Sequence, residues 1–226
     1  IDPAGRLSGD KIFVDYGQHA THHVVAARDG QELGLYWIDA RAEGVVCRPL
    51  RSMGRTPVTR VQYASVPATR MGGADEWAGL IRLGRVLAAL QCAASMQTAL
   101  EMTVQYANVR EQFGQTIGRF QAVRHHCANM LTRITSARTM AFEALSFLNQ
   151  GESDDIRPAA AKAAASRAAS DVLMLGHQIH GGNGVIEEND LYFFTLRGKE
   201  RALSWGSVEE CLALMAEHVD EPVDWL

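Results

Sequence analysis

No proline interrupts the 90 residues between Pro67 and Pro158, and from Asp75 the apolar residues change their period from two to between three and four. Keeping proline out for so long commits this stretch to long helices. Leu80, Leu83, Leu87, Leu90 and Ala94 mark the first, over about Glu76–Val109, which at about 1.5 Å per residue is roughly 50 Å long. Val123, Cys127, Met130, Ile134, Ala137, Ala141, Leu145 and Leu148 mark the second, over about Phe120–Asn149. These stripes predict the seam of a four-helix bundle. A third helix starts at Asp154 or Asp155, whose carboxylate caps it, carries Pro158 in its first turn and runs through Val172, Leu175 and Ile179 to Gly181. Its alanine-rich first half predicts close helix approach. An irregular stretch is expected from Gly182 to Gly206. After it, Ser207-Val-Glu-Glu210 forms a capping box, and Val208, Cys211, Leu212, Met215 and Val219 stripe a last helix.

Residues 1–72 follow other rules. Gly and Pro punctuate short β-branched or apolar runs at Lys11–Asp15, His23–Ala27, Gly34–Ile38, Gly44–Arg48 and Val58–Ala64, the signals of an antiparallel sheet. The expected class is therefore α+β, with a partial antiparallel β domain over 1–72 and a C-terminal four-helix bundle over 73–226. The sheet begins so close to Ile1 that strands before it are expected to be missing.

Composition closes several functions. The net charge of −4 with 7% aromatic residues gives no electrostatic footprint for nucleic acid or an anionic membrane. No apolar run approaches the roughly 20 residues of a bilayer span, and no signal peptide is visible. Cys47, Cys92, Cys127 and Cys211 lie far apart without a CxxC pair, which predicts reduced thiols in a cytoplasmic or organellar-matrix protein. Lys11, Lys162 and Lys199 are outnumbered by nineteen arginines, a bias of GC-rich bacterial genomes. Adjacent His22 and His23, adjacent His125 and His126, and His177 with His180 lack companions at metal-ligand spacing, so no metal site is expected. Neither a GxSxG elbow nor a P-loop is present.

Two segments carry chemistry. Arg110-Glu-Gln-Phe-Gly-Gln-Thr-Ile-Gly118 stops one helix and starts the next; a helix stop explains Gly114 and Arg110, whereas guanidinium, amide and ring at one corner suit a phosphate and a flat ring together. Gln178-Ile-His-Gly-Gly-Asn-Gly184 ends the alanine-rich helix. One glycine suffices for a cap, and three let backbone approach a bulky anion, although a flexible loop would read the same.

In order, these segments resemble the acyl-CoA dehydrogenase family over essentially the whole chain. Arg110-Glu-Gln-Phe-Gly with Gly118-Arg-Phe-Gln121 is similar to its RxxFGxxIxxFQ block, Gln178 to Gly184 to its QxxGGxG block, and Val66-Pro67-Ala68 to the "VP" that leaves its β domain. Gly9-Asp-Lys11-Ile-Phe-Val-Asp-Tyr-Gly17 resembles its GxKxWITNG strand. The resemblance implies a β domain and a helical bundle that build dimers and tetramers around FAD, here without the helical N-terminal domain, as in a fragment or a truncated relative. It implies α-proton abstraction from an acyl-CoA by a carboxylate, hydride transfer to flavin, and electron-transfer flavoprotein or another acceptor downstream. Arg110, Gln112 and Phe113 are then expected to meet a partner's FAD, with Gln178, Gly181 and Gly182 near its pyrophosphate, Ser207 and Glu209 near its adenosine, and Arg85 matching a substrate-side arginine.

The departures sort these expectations. The family base sits in a YEGT segment after GGxG, and the matching stretch here is Ser204-Trp205-Gly206-Ser207; the alternative base position on the first long helix is Gly84. The Trp and Thr of WIT are matched by Phe13 and Asp15. Residues serving a partner's cofactor remain and those running chemistry in the chain's own site do not, which resembles the non-catalytic half of α2β2 acyl-CoA dehydrogenases. In actinobacteria such pairs act on steroid side-chain thioesters; fatty acyl-CoA oxidation is the broader family role. Two alternatives stay open: an active homomeric enzyme, a homotetramer for instance, whose base is Asp15, Glu187, Glu188 or Glu200, and a flavin-free helical assembly module.

Overall fold

The computed structural model describes residues 1–218, in two compact units, Ile1–Ile81 and the residues from Arg82 onward. In the first, six strands form two antiparallel sheets. β1 (Arg6–Asp15), β5 (Val58–Pro67) and β4 (Val45–Leu50) pair in the order β1-β5-β4, and β2 (His22–Asp29), β3 (Glu32–Asp39) and β6 (Thr69–Gly72) in the order β2-β3-β6. β2 and β3 form a hairpin in unbroken register from His22 opposite Asp39 to Asp29 opposite Glu32, which leaves Gly30-Gln31 as a two-residue turn. Leu7, Val25, Ile38, Val61, Tyr63 and Val66 close the core between the sheets. β6 was not expected; it pairs Thr69–Gly72 with β3 before the first helix begins.

Five α-helices follow among the described residues: α1 (Ala74–Val109), α2 (Gln121–Asn149), α3 (Ile156–His180), α4 (Asp190–Leu203) and α5 (Val208–Ala216). The α+β class with a C-terminal helical bundle is the one the sequence predicts. In the second unit the core joins Ala89, Ala93, Met96 and Leu100 of α1 to Met130, Ile134, Ala137 and Ala141 of α2 and Ala161, Ala165, Val172 and Leu173 of α3. The α2 stripe is as expected, with Val123, Cys127, Leu145 and Leu148 part-buried along it. On α1 the stripe is another one. Leu80, Leu83 and Leu87 are 37%, 41% and 47% exposed and Ala94 is exposed, leaving Leu90 alone of the five to pack on the core. Val86, Ala89, Ala93, Met96 and Leu100, one stripe round the helix, are buried instead.

The expected irregular stretch holds α4. The Asn189 side chain accepts from the Leu191 N–H at 2.9 Å to cap it, and Leu191, Thr195 and Gly198 recur on its buried face. Of the two candidate caps of α3, Asp154 accepts from the Ile156 N–H at 2.8 Å, while Asp155 pairs with Arg82 at 3.0 Å. The capping box of α5 is complete: the Glu210 N–H donates to Ser207 Oγ at 3.1 Å and the Ser207 N–H to Glu210 Oε2 at 2.7 Å. Cys211 is buried against Ala159 and Ala163 with Val208 and Met215 beside it, Leu212 is 43% exposed, and Val219 lies outside the described residues. No helix among the described residues is long and apolar enough to cross a membrane.

Candidate functional site

At one end of the second unit, α1 stops at Val109 and the chain makes a small hairpin of β7 (Glu111–Gln112) and β8 (Gln115–Thr116). Its turn residues, Phe113 and Gly114, have φ of 56° and 78°. Positive φ at both central positions is the turn that fits the twist of a two-residue hairpin, and a phenylalanine in it is strained. The strain holds the Phe113 ring 92% exposed, edge-on to Phe120 at 6.2 Å between centroids. The Ile117 N–H donates to the Arg110 carbonyl at 2.8 Å and closes the corner.

α3 ends beside it. Gly181 (φ 60°) leads into a 3₁₀ turn over Gly181–Gly184, and a Cβ at Gly181 or Gly182 would meet nothing within 4 Å. Tyr106, one turn before Arg110, stacks on His180 with centroids 4.3 Å apart and planes 12° apart. Around this pair lies a pocket of about 590 Å³ lined by Arg110, Gln112, Ile117, Gly181, Gly182 and Asn183 together with Tyr106, Ile179 and His180. His180 is 5% exposed, and its Nε2 has no hydrogen-bond partner among the described residues. Burial, and then His177, push it below the ordinary histidine range, so it is neutral at pH 7. A guanidinium, a side-chain amide, open glycine backbone and a stacked ring pair suit an anion joined to a planar group.

Four expected residues, Arg110, Gln112, Gly181 and Gly182, come together in this pocket. Phe113 and Gln178 are exposed nearby without lining it. Ser207 and Glu209 lie at the start of α5, Ser207 engaged as its cap and the Glu209 carboxyl lowered by its own backbone N–H and by Ser207. Tyr106 and His180 are functional candidates that motif reading passed over. The signal was there for Tyr106, which shares a helix face with Arg110 at a spacing of four.

Gly84 and Trp205, which the resemblance matches to the family's base positions, meet at another place. Trp205, between α4 and α5, has φ 60° and lays its indole over Gly84 of α1. A Cβ at Gly84 would sit 2.7 Å from the indole Cε2 and closer still to Cδ2 and Cε3, so only glycine admits this contact. Two cations hold the turn. Lys162, fully buried on α3, donates from Nζ to the Ala202 carbonyl at 2.7 Å, Ser166 Oγ at 2.8 Å and the Gly206 carbonyl at 3.1 Å. Arg85 Nε donates to the Trp205 carbonyl at 3.4 Å. Neither a glycine nor an indole can take a proton from carbon. Burial pushes the Cys92 thiol up to about 11, which leaves it no thiolate at neutral pH. Glu187 and Glu188 are exposed before α4, Glu200 is half-buried on it, and Asp15 ends β1.

In the β unit, β1 loses register between Lys11 and Val14, and Phe13 turns outward there with φ 55° and 66% exposure. The pocket of this unit, about 370 Å³ beside Asp10, Lys11, Arg28 and Tyr63, contains none of the expected site residues.

Comparison with known proteins converges on one family. The model of the acyl-CoA dehydrogenase C-terminal domain matches residues 73–220. FadE34, an acyl-CoA dehydrogenase of Mycobacterium tuberculosis, is 33% identical over 167 residues, covering 71% of this chain and 23% of that protein. A variant of the Tcur3481-Tcur3483 steroid ACAD superposes with a TM-score of 0.90 at 28% identity, over 96% of this chain and 60% of that one. The ChsE4-ChsE5 complex of Mycobacterium tuberculosis gives 0.89 at 25%, over 96% and 61%. The chain spans between about a quarter and three fifths of the length of curated relatives it matches. With the family model matching residues 73–220, the chain belongs to the acyl-CoA dehydrogenase family.

Proposed function

We propose that this chain is the FAD-completing, non-catalytic subunit of a heteromeric acyl-CoA dehydrogenase, in which a homologous subunit supplies the base. The observation that carries this is the contrast within one unit: the corner at Arg110 and Gly181 is built to hold an anion, whereas the two base positions are a glycine and a tryptophan packed on each other. The residues fit the adenosine diphosphate end of FAD. Arg110 offers a charged fork to a pyrophosphate, the open backbone at Gly181 and Gly182 admits it, and His180 Nε2 is a buried polar atom that lacks a partner among the described residues. Bound there, FAD would supply the hydride-accepting redox chemistry that removal of the acyl-CoA α-proton requires. The proposed role of this chain is to bind and orient; the α-proton goes to a carboxylate of the partner. Support for the pairing comes from neighbours described as the Tcur3481-Tcur3483 steroid ACAD and the ChsE4-ChsE5 complex, and steroid side-chain thioesters are accordingly the first substrates to try, before fatty acyl-CoA.

The test is to purify the full-length protein alone and co-expressed with its homologous neighbour, and to record flavin absorbance and acyl-CoA oxidation. Flavin and turnover are expected only in the pair, with Arg110→Ala lowering flavin per pair severalfold. Yellow, active protein from this chain alone overturns the proposal in favour of a base such as Glu200, and a colourless pair overturns it in favour of an assembly module.

A further inference from the structure

We infer that Trp205 is a built-in occupant of this chain's own reaction position, held there by Lys162 and Arg85, and that it shuts out the acyl end of a CoA thioester. The inference rests on the reading above that Gly84 and Trp205 stand where the family places its base; what it adds is steric closure, which the loss of a carboxylate alone does not imply.

Three observations carry it. First, the fit is mutual: the indole takes the space of a side chain at position 84, and any residue but glycine would expel it. Second, the placement is imposed. Trp205 sits at φ 60°, a conformation that a bulky residue keeps only when its surroundings demand it. The demand is visible in the carbonyls on either side of the turn: Ala202 and Gly206 both accept from the Lys162 ammonium, and Trp205 itself from Arg85. Lys162 has a hydroxyl and two carbonyls around its Nζ, which makes it a clamp on the turn between α4 and α5. Third, core packing does not require the pair. The tryptophan is 42% exposed, and an alanine at 84 under a smaller residue at 205 would seal the core as well. A large ring left half in solvent and clamped over a glycine fills a site better than it fills a core.

The test uses the full-length protein, alone or in the complex in which it purifies, with two probes, indole and octanoyl-CoA, followed by calorimetric titration. Trp205→Ala is expected to take up one indole per chain where the parent takes none, and Gly84→Leu in the same background to abolish that uptake by refilling the notch. Octanoyl-CoA is expected to bind Trp205→Ala at least tenfold more tightly than the parent. Lys162→Met, which frees the turn, is expected to gain octanoyl-CoA affinity in the same direction, and Lys162→Arg to keep the parent's behaviour. A folded Trp205→Ala that takes no indole overturns the inference, because the notch is then not as described. Indole uptake without any gain for octanoyl-CoA also overturns it, because closure is then not what excludes the thioester. Flavin content of the co-expressed pair is unaffected by either outcome, so the subunit role stands or falls separately.

Discussion

Replacing Gly84 by alanine tests the contact on which the closed site depends, through a change of sign. Position 84 is in the interior of α1, where alanine is favoured over glycine by about 1 kcal/mol. The new methyl, however, enters the volume of the Trp205 indole at its fused edge, where no rotation of a flexible end relieves the overlap. The backbone of that residue is tethered through Lys162 and Arg85, so the ring must tilt away or the turn must shift, an overpacking cost of about 1–3 kcal/mol. The net expectation is a loss of about 1 kcal/mol, or a fall in Tm of about 2–4 °C for a chain of this size. In a Trp205→Ala background the overlap is gone and the helical preference remains. There the same substitution should raise stability by about 1 kcal/mol. The four proteins of this double-mutant cycle, unfolded by urea and by heat, should show a coupling of about 2 kcal/mol. Equal effects of the same sign in both backgrounds would refute the packing of Trp205 on Gly84.

Two further outcomes follow from the bundle. Ser207→Ala removes the side-chain half of the α5 capping box and should cost about 1 kcal/mol, with faster amide exchange confined to the first turn of α5, whereas Ser207→Gly should cost only a few tenths; equal losses would show that the cap is idle. Burial holds His177 and His180 below the ordinary histidine value, so on acidification the unfolded chain takes up protons first. Their contribution is complete above about pH 6.5 and is lost as pH falls through their folded values. Asp10, held low by Arg60, and Glu76, held low by the Gly73 N–H, give up theirs only below about pH 4, so the two windows separate. Tm should drop between pH 7.5 and 5.5, and less so in His180→Phe, which keeps a ring beside Tyr106; an unchanged drop would mean that His180 does not titrate there.

Much of this was legible in the sequence, and the exceptions have physical causes. The long helices and the α2 seam follow from periodicity because a helix that packs by one face must repeat its apolar residues. The stripe on α1 misled because the helix is apolar on two sides, and the leucines stand out in the sequence while Ala89, Ala93 and Met96 are the residues that join the core. α4 falls in the stretch expected to be irregular, and its Gly198 makes room in space for Leu173, whose Cδ1 would lie 2.6 Å from an added Cβ. Motifs located Arg110, Gln112, Gly181 and Gly182. They could not supply the pairing of Tyr106 with His180, or of Trp205 with Gly84, since contacts between residues 74 and 121 positions apart leave no local pattern. Lys162 was counted as one of three lysines and nothing more; only burial shows what it holds.

The positions of the two sites fit the proposal that one chain serves a cofactor and is closed to a substrate. Gly84 and Val109 lie on one helix, 25 residues and hence roughly 38 Å apart along its axis. The pocket at the Arg110 end is assembled from the last turns of α1 and α3, and the closed position from the early turns of α1 with the turn between α4 and α5. No lining residue of the pocket touches the clamp formed by Lys162, Arg85 and Trp205. At such separation substitutions act independently. A glycine and a tryptophan at one end of the bundle therefore leave the anion corner at the other intact, and the two ends can be altered one at a time to learn which of them the proposed partner subunit needs.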